Sequence, residues 1–288
     1  MIRLFSFVKS YFRSHYPKAW PYFRSFHSAA VTSCRFFRRG QIKRALLCFS
    51  VWKILLGNLL FVMGLTRSPG KLCLNCGWEG RSFLPYYYVD CYRENVTCPN
   101  CGIIDRYRTL IAMMPFIKNE VSPMRNDIRC LDIAPMPFTP DFIKTQLGAK
   151  SVVTFDLHNP AAQIQGDIES MPFDAASFDL IVCYEVLDYI AKDSAAISEI
   201  YRVLAGNGYA LLRVGYDPNG ETIEYDKPDA DDSFHIRRYG KDFPGRLRKP
   251  GFRVIEIQPG DHLAPDLISQ TGSETGVFFI LKKDAKHL

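Results

Sequence analysis

The feature that most constrains this chain is a pairing repeated through its second half: short apolar runs, each closed by an acidic residue. The run 128–133 holds Asp132, 151–155 leads into Asp156, 163–165 into Asp167, and 178–184 into Glu185. Segments of helical spacing at 139–148 and 191–204 separate these runs, and a fifth apolar run follows at 209–214. Alternation of this kind is the pattern of an α/β, Rossmann-like parallel sheet with helices on both faces. Thr139 and Pro140 are placed as N-cap and first-turn residue of the first of these helices. Two last runs, 252–257 and 276–281, complete a seven-stranded sheet as an antiparallel pair. Ligands of such sheets bind beyond the carboxyl ends of the strands, where the four acids fall. An acid after the second strand can accept hydrogen bonds from ribose hydroxyls, and one after the third can meet an adenine amino group. A helix cap or a solvated loop charge accounts equally well for any single one of them.

Charge divides the chain differently. Thirteen of the 36 Lys and Arg residues precede the first acidic residue, Glu79, which leaves 23 basic against 30 acidic residues in the remainder. The basic segment is interleaved with aromatics such as Phe5, Tyr11, Trp20 and Phe36, a composition suited to anionic lipid or to nucleic acid. Residues 45–65 then form an almost unbroken apolar stretch, long enough to span a bilayer core. Ser50, Lys53, Gly57 and Gly64 share one helical stripe, which fits a helix lying in the membrane plane as well as one crossing it. A buried helix packed on the catalytic domain is the alternative. The expected placement is cytoplasmic, peripheral or in-plane on the inner face of the membrane, through residues 1–65.

Nine cysteines, an odd number with clustered pairs, argue against a secreted disulfide framework. Cys73 and Cys76, each knuckle closed by a glycine, and Cys98 and Cys101 have the two-residue spacing that turns both thiolates toward one tetrahedral ion. A strand is expected between them at 83–89. Together they predict a zinc ribbon with a structural Zn2+, since four thiolates close the coordination sphere. Cys91 lies between the pairs without a knuckle of its own. Three regions follow: an N-terminal extension over 1–70, a zinc-ribbon-like module over 71–108, and a catalytic domain over 109–288.

In order along the chain stand Leu131-Asp-Ile-Ala-Pro135, Phe155-Asp-Leu157, the stretch 166–173 with Asp167, the stretch 177–182, the stretch 185–190, and 199–208. These resemble the successive motifs of class I S-adenosylmethionine-dependent methyltransferases. More narrowly, the chain is similar to a bacterial subgroup with Ala-Pro in its first motif, a cysteine knuckle pair upstream that runs on here to Asp105-Arg-Tyr-Arg108, and a late stretch like 235–243. The resemblance covers roughly 73–282. It implies that Asp132, Ile133, Ala134 and Pro135 line the methionine end of S-adenosylmethionine. It also implies that Asp156 with Leu157 binds the ribose, that Asp167 with Ile168 flanks the adenine, and that Tyr184 and Glu185 border the cofactor and face the acceptor. Members of the subgroup tend to have Glu at Met136, His at Tyr189, and Pro-Gly-Gly at 206–208, where this chain has Gly-Asn-Gly.

Methyl transfer from a sulfonium requires alignment, exclusion of water, and a base where the acceptor must lose a proton. The candidates for that base are Glu185, Asp188 and His235, with Tyr189 behind them. Arg237 and Arg238 could grip a phosphate or carboxylate of the acceptor, or form a solvated face with one internal salt bridge. The acidic segment 221–232 is expected as a lid or insertion. The resemblance implies a saccharide or lipid-linked acceptor at the cell surface. An RNA acceptor and a catalytically degenerate scaffold are the competing readings. The sequence holds neither a serine-hydrolase elbow nor a phosphate loop, and it leaves the oligomeric state open.

Overall fold

Where the sequence clusters cysteines and glycines the chain forms only short antiparallel pairs. In the computed structural model, which describes residues 54–58, 60–61, 70–88, 91–120, 127–229, 234–273 and 276–284, β1 (Lys71–Leu72) pairs with β2 (Glu79–Gly80), and β3 (Leu84–Tyr88) with β4 (Cys91–Thr97). Helix α1 (Asp105–Glu120) follows. The chain divides into two compact units, one from the described part of 1–112 with 264–274, the other from 113–263 with 275–288. Residues 264–274, grouped by sequence with the catalytic domain, therefore pack in the same unit as the knuckles. Within that unit the helical residues 54–58 bury Leu55 and Asn58, and the Asn58 side chain exchanges two hydrogen bonds with the Ser82 backbone. This part of the apolar run packs within the knuckle unit, whereas the sequence alternative to membrane attachment is a helix packed on the catalytic domain. The rest of 45–65 and all of 1–44 lie outside the described residues. Among the described residues no helix is long and apolar enough to cross a membrane.

The second unit holds the seven-stranded sheet. Its elements are β5 (Arg129–Ile133), α2 (Thr139–Leu147), β6 (Ser151–Asp156), β7 (Ile164–Gln165), β8 (Phe178–Tyr184), α3 (Asp193–Val203) and β9 (Leu204–Arg213). The antiparallel β10 (Ile223–Asp229) and β11 (His235–Arg238), then α4 (Phe243–Arg248), β12 (Arg253–Ile257), α5 (Pro259–His262) and β13 (Phe278–Lys282) complete it; α6 (Pro265–Thr271) belongs to the first unit. The strand order is β12-β13-β9-β8-β5-β6-β7. The pairs from β7 to β9 are parallel, and β13 runs antiparallel between β9 and β12. This is the expected Rossmann-like sheet with its antiparallel closing pair.

The runs fold as strands because they are buried on both faces, as parallel strands are. Cys130, Leu131, Leu180, Ile181, Val182 and Leu212 are at most 2 % exposed. On α3 the spacing of Ala196, Ile197, Ile200 and Val203 makes one apolar stripe against this core, each large side chain contributing about 1.5–3 kcal/mol by burial. Two expectations change. The N-cap of α2 is Phe138, without a side-chain cap bond, and the Thr139 hydroxyl instead donates to Asp132. Burial of both groups favours that pairing over capping. The expected insertion at 221–232 takes the form of a strand: Ile223 to Asp229 pairs with 235–238 outside the main sheet, and Arg237 bonds Glu224 across the pair.

Gly240 closes the base of this arm. A Cβ there would stand 2.3–2.5 Å from the backbone of Gly220, Glu221 and Thr222. Since backbone cannot yield as a side-chain tip can, the Gly240→Ala variant is expected to lose about 1–3 kcal/mol of stability. Urea unfolding followed by circular dichroism measures this, and an unchanged midpoint would show that the arm reorganises freely.

Candidate functional site

Strand β5 lies between β6 and β8, and the chain leaves it first toward β6 and β7, then returns to β8 and β9. The loops after β5 and β8 therefore run in opposite directions and open a crevice at the carboxyl ends of the strands. Both begin with a non-glycine residue in the left-handed region, Ala134 at φ 54° and Glu185 at φ 57°. Each is held by a ladder-like bond from its amide, Ala134 to the Phe155 carbonyl and Glu185 to the Arg213 carbonyl, both at 2.8 Å. Such conformations cost energy and persist where the surroundings fix them, which is common at functional sites.

The expected cofactor positions take distinct environments. Asp132 is buried, and its carboxylate accepts from Thr139 beneath the 133–135 loop. Asp156, at the end of β6, accepts the amides of His158 and Asn159 on Oδ1, at 2.7 and 2.8 Å, so the loop presents the carboxylate in a fixed orientation. Leu157 beside it is half exposed. Asp167 is exposed and accepts the Glu169 amide, whereas the Ile168 side chain belongs to the core. Tyr184 also turns inward, its ring 5.8 Å from that of Phe278. Of those two pairs, Asp167 and Glu185 are the members that remain near the crevice surface.

At the mouth of β8 the structure brings Glu185, Asp188 and His235 together, with one ligand atom of each within 4.8 Å of the others. Asp188 sits in the turn Leu187–Tyr189, fully buried, and its Oδ1 accepts the Gly215 amide at 2.9 Å. Glu185, one residue beyond the Tyr184–Arg213 register pair of β8 and β9, is ion-paired with Arg213. His235 is delivered by β11, which two residues lash to the same turn. Arg237 donates to the Ile190 carbonyl, and the Tyr239 hydroxyl donates toward Leu187 and Asp193. The His235 ring meets Tyr189 edge-on at 4.7 Å. Arg237 is thereby committed: it is buried and bonded to Glu224, Ile190 and Ala191, which is the internal salt bridge of the two sequence readings and leaves it unable to grip an acceptor. Sequence reasoning missed Arg213, Gly215 and Tyr239. Only the rule that functional groups gather at strand ends could have pointed to Arg213.

In the first unit the two knuckles have the same geometry. Cys73 and Cys98 donate to the carbonyls of Trp78 and Ile103, and Gly77 and Gly102 donate back to the two cysteine carbonyls. The four sulfurs converge, with Cys73 to Cys101 at 3.7 Å and Cys76 to Cys98 at 3.8 Å. Hydrogen bonding with Cys101 lowers the pKa of Cys76 and raises those of Cys73 and Cys98, and hydrogen bonding with Cys73 lowers that of Cys101.

Burial pushes the Asp132 carboxyl up to about 7 from its ordinary 3.8, against the Thr139 bond that favours ionisation. Below the ordinary value the folded and unfolded chains both hold the proton. As the pH rises from there toward 7 only the unfolded chain ionises, so this group's contribution to stability declines across that window. The Asp132→Asn variant lacks this decline, and its stability relative to wild type should rise by on the order of 2–4 kcal/mol between pH 4 and 7.5. Urea titrations at both pH values test this; parallel pH profiles would place the proton elsewhere.

Residues 122–212 match a family model described as a methyltransferase domain. Among solved structures, a putative methyltransferase from Bacillus halodurans C-125 is 17 % identical, with 61 % of this chain and 99 % of that chain covered at a TM-score of 0.38. An S-adenosylmethionine-dependent methyltransferase from Mesorhizobium loti is 14 % identical, with 60 % and 98 % covered at 0.44. A Thermotoga maritima protein described as an S-adenosylmethionine-dependent methyltransferase, possibly acting on histamine, is 16 % identical, with 62 % and 90 % covered at 0.40. No curated protein shows significant similarity to the chain.

Proposed function

We propose that the protein is an S-adenosylmethionine-dependent methyltransferase, which the matched methyltransferase domain supports, and that it methylates a hydroxyl of a saccharide or lipid-linked precursor at an anionic membrane face. One observation carries the reading: Glu185, Asp188 and His235 converge at the carboxyl end of β8, beside the switch point, and an alcohol acceptor needs a base there. The resemblance of the late stretch 235–243 supports the saccharide class, and the basic, aromatic composition of 1–44 supports the anionic surface.

The residues at the crevice fit the cofactor by their chemistry. Asp156, oriented by two amides, suits the ribose hydroxyls, and the exposed Asp167 suits the adenine edge. The turn at 133–135, with Asp132 beneath it, suits the methionine end. When bound, S-adenosylmethionine supplies an electrophilic methyl group. The chain's own residues do the rest. His235 accepts the proton that the acceptor hydroxyl gives up. Asp188, held by the Gly215 amide, and Glu185, held by Arg213, stabilise the charge that His235 gains. In the same reading Cys73, Cys76, Cys98 and Cys101 hold a structural Zn2+. A tetrahedral ion with Zn–S bonds of about 2.3 Å sets its sulfurs about 3.8 Å apart, which matches the separations observed.

Calorimetric titration of S-adenosylhomocysteine into the purified chain, beside Asp156→Ala, tests the cofactor site. Micromolar binding that the substitution abolishes is expected; no binding by folded, zinc-loaded protein would leave the scaffold reading. With labelled S-adenosylmethionine and a glycolipid extract, His235→Gln and Asp188→Asn should lower transfer by about 10²–10⁴-fold while cofactor affinity holds. Transfer into RNA instead, with binding that falls steeply with salt, would replace the saccharide.

A further inference from the structure

Arg108 is the largest fully buried side chain among the described residues. A guanidinium has five N–H groups, and here all are spent on backbone carbonyls. Nε donates to Thr271, Nη1 to Val96 and Ile103, and Nη2 to Asn95 and Gly272, at 2.6–3.3 Å. The face of the group lies 3.8 Å above the Phe83 ring. Every one of these partners is neutral. Asp105, on the same helix, supplies part of an opposite charge but shares it with Arg93 and with the Arg106 amide. Burying a charge costs free energy that neutral partners offset only in part, and an opposite charge nearby offsets more of it.

That charge is available in the knuckles. The Ile103 carbonyl that accepts Arg108 also accepts the Cys98 amide, and Val96 stands two residues before Cys98. A divalent ion held by four thiolates carries two net negative charges. Burial lowers the pKa of Arg108, while Asp105 and then Cys73, Cys98 and Cys101 raise it. The other side of the guanidinium holds the end of α6, through the carbonyls of Thr271 and Gly272. Gly272 is in the left-handed region at φ 56°, and a Cβ there would meet Phe83 at 2.9 Å and Arg108 at 3.1 Å, so this turn is shaped to the buried group. Lys71 donates to Ser269 in the same turn, and cations suit the carbonyl end of a helix.

We propose that Arg108 is the counter-charge of the four-cysteine metal site, and that through its carbonyl bonds it makes the docking of α6 on the knuckle unit depend on metal. The inference rests on the zinc reading above. With the ion bound, the guanidinium is balanced and can hold the α6 turn. With the ion removed, the guanidinium loses the net negative charge that the ion and its four thiolates supply, and its hold on the turn weakens.

The test uses the full chain and zinc alone. Zinc affinity, measured by competition with a chromogenic chelator, should fall about tenfold or more in Arg108→Met. In Arg108→Lys, which keeps the charge and loses the five-bond fork, affinity should stay closer to wild type than in Arg108→Met. The pH at which acid releases zinc should rise in Arg108→Met, because protons compete better for thiolates that lack a neighbouring cation. Should Arg108→Met fail to fold, hydrogen exchange on the wild-type chain decides: chelation of zinc should strip protection from the α6 amides. Zinc uptake that Arg108→Met leaves unchanged, equal losses in both variants, or α6 protection indifferent to zinc would each overturn the proposal. A wild-type chain that takes up no zinc would overturn the metal reading itself, and this inference with it.

Discussion

The catalytic unit depends on the parallel pairing of β5 along both of its edges. In-register bonding of Ile133 to both Phe155 and Cys183 brings three strands to their carboxyl ends at one level. The connections that leave β5 and β8 then have to part, one toward each side of the sheet, and the crevice is the space they leave. Everything assigned to the cofactor stands on that geometry. Asp156 and Asp167 sit past the next strands out, and Ala134 and Glu185 turn the chain sharply where it leaves the sheet. Were β8 paired one residue out of register, each side chain would move to the opposite face.

The site at β8 adds a second layer of control. Asp188 is three residues beyond Glu185 and shares its loop, but His235 lies far along the chain and arrives on an arm whose base bonds to the sheet through Tyr239 and residues 215–217. Arg237, Tyr239, Arg246, Asp193 and Glu224 form the lashing, with ion pairs of Arg246 to both Asp193 and Glu224. The buried Tyr239 hydroxyl is held in its neutral form by burial and by Asp193. A network satisfied in this way is stiff, because each of its buried polar groups would lose a partner on any displacement.

The knuckle unit solves a different problem. Its β-pairs are two to seven residues long, too little sheet to be stable alone. It is held together by convergence on two polar centres: the four sulfurs, and the Arg108 guanidinium with its five carbonyls. Around them Phe83, Leu55 and Ile103 are fully buried and supply the apolar packing.

Local patterns were legible without coordinates. Cysteine spacing gave the four sulfurs, apolar runs gave the strands from β5 to β9 within a few residues, and Asp156, Asp167 and Glu185 could be named because strand ends carry function whatever the tertiary detail. Pairing at long range was not legible. Nothing in the string distinguishes Arg213, set by strand register opposite Tyr184 and ion-paired with the next residue, Glu185, from an ordinary surface arginine. Nor does it show that Ile168 and Tyr184 turn into the core. Arg108 was quoted as part of a motif, but its burial depends on carbonyls up to 164 residues away. By itself the sequence determined which residues are candidates for the chemistry and which segments are strands, since both follow from neighbours a few positions apart. Only the tertiary structure decided which charges meet, because burial and partnership are properties of the packed chain, where each ionised group must find an opposite charge or hydrogen-bond partners before it can leave water.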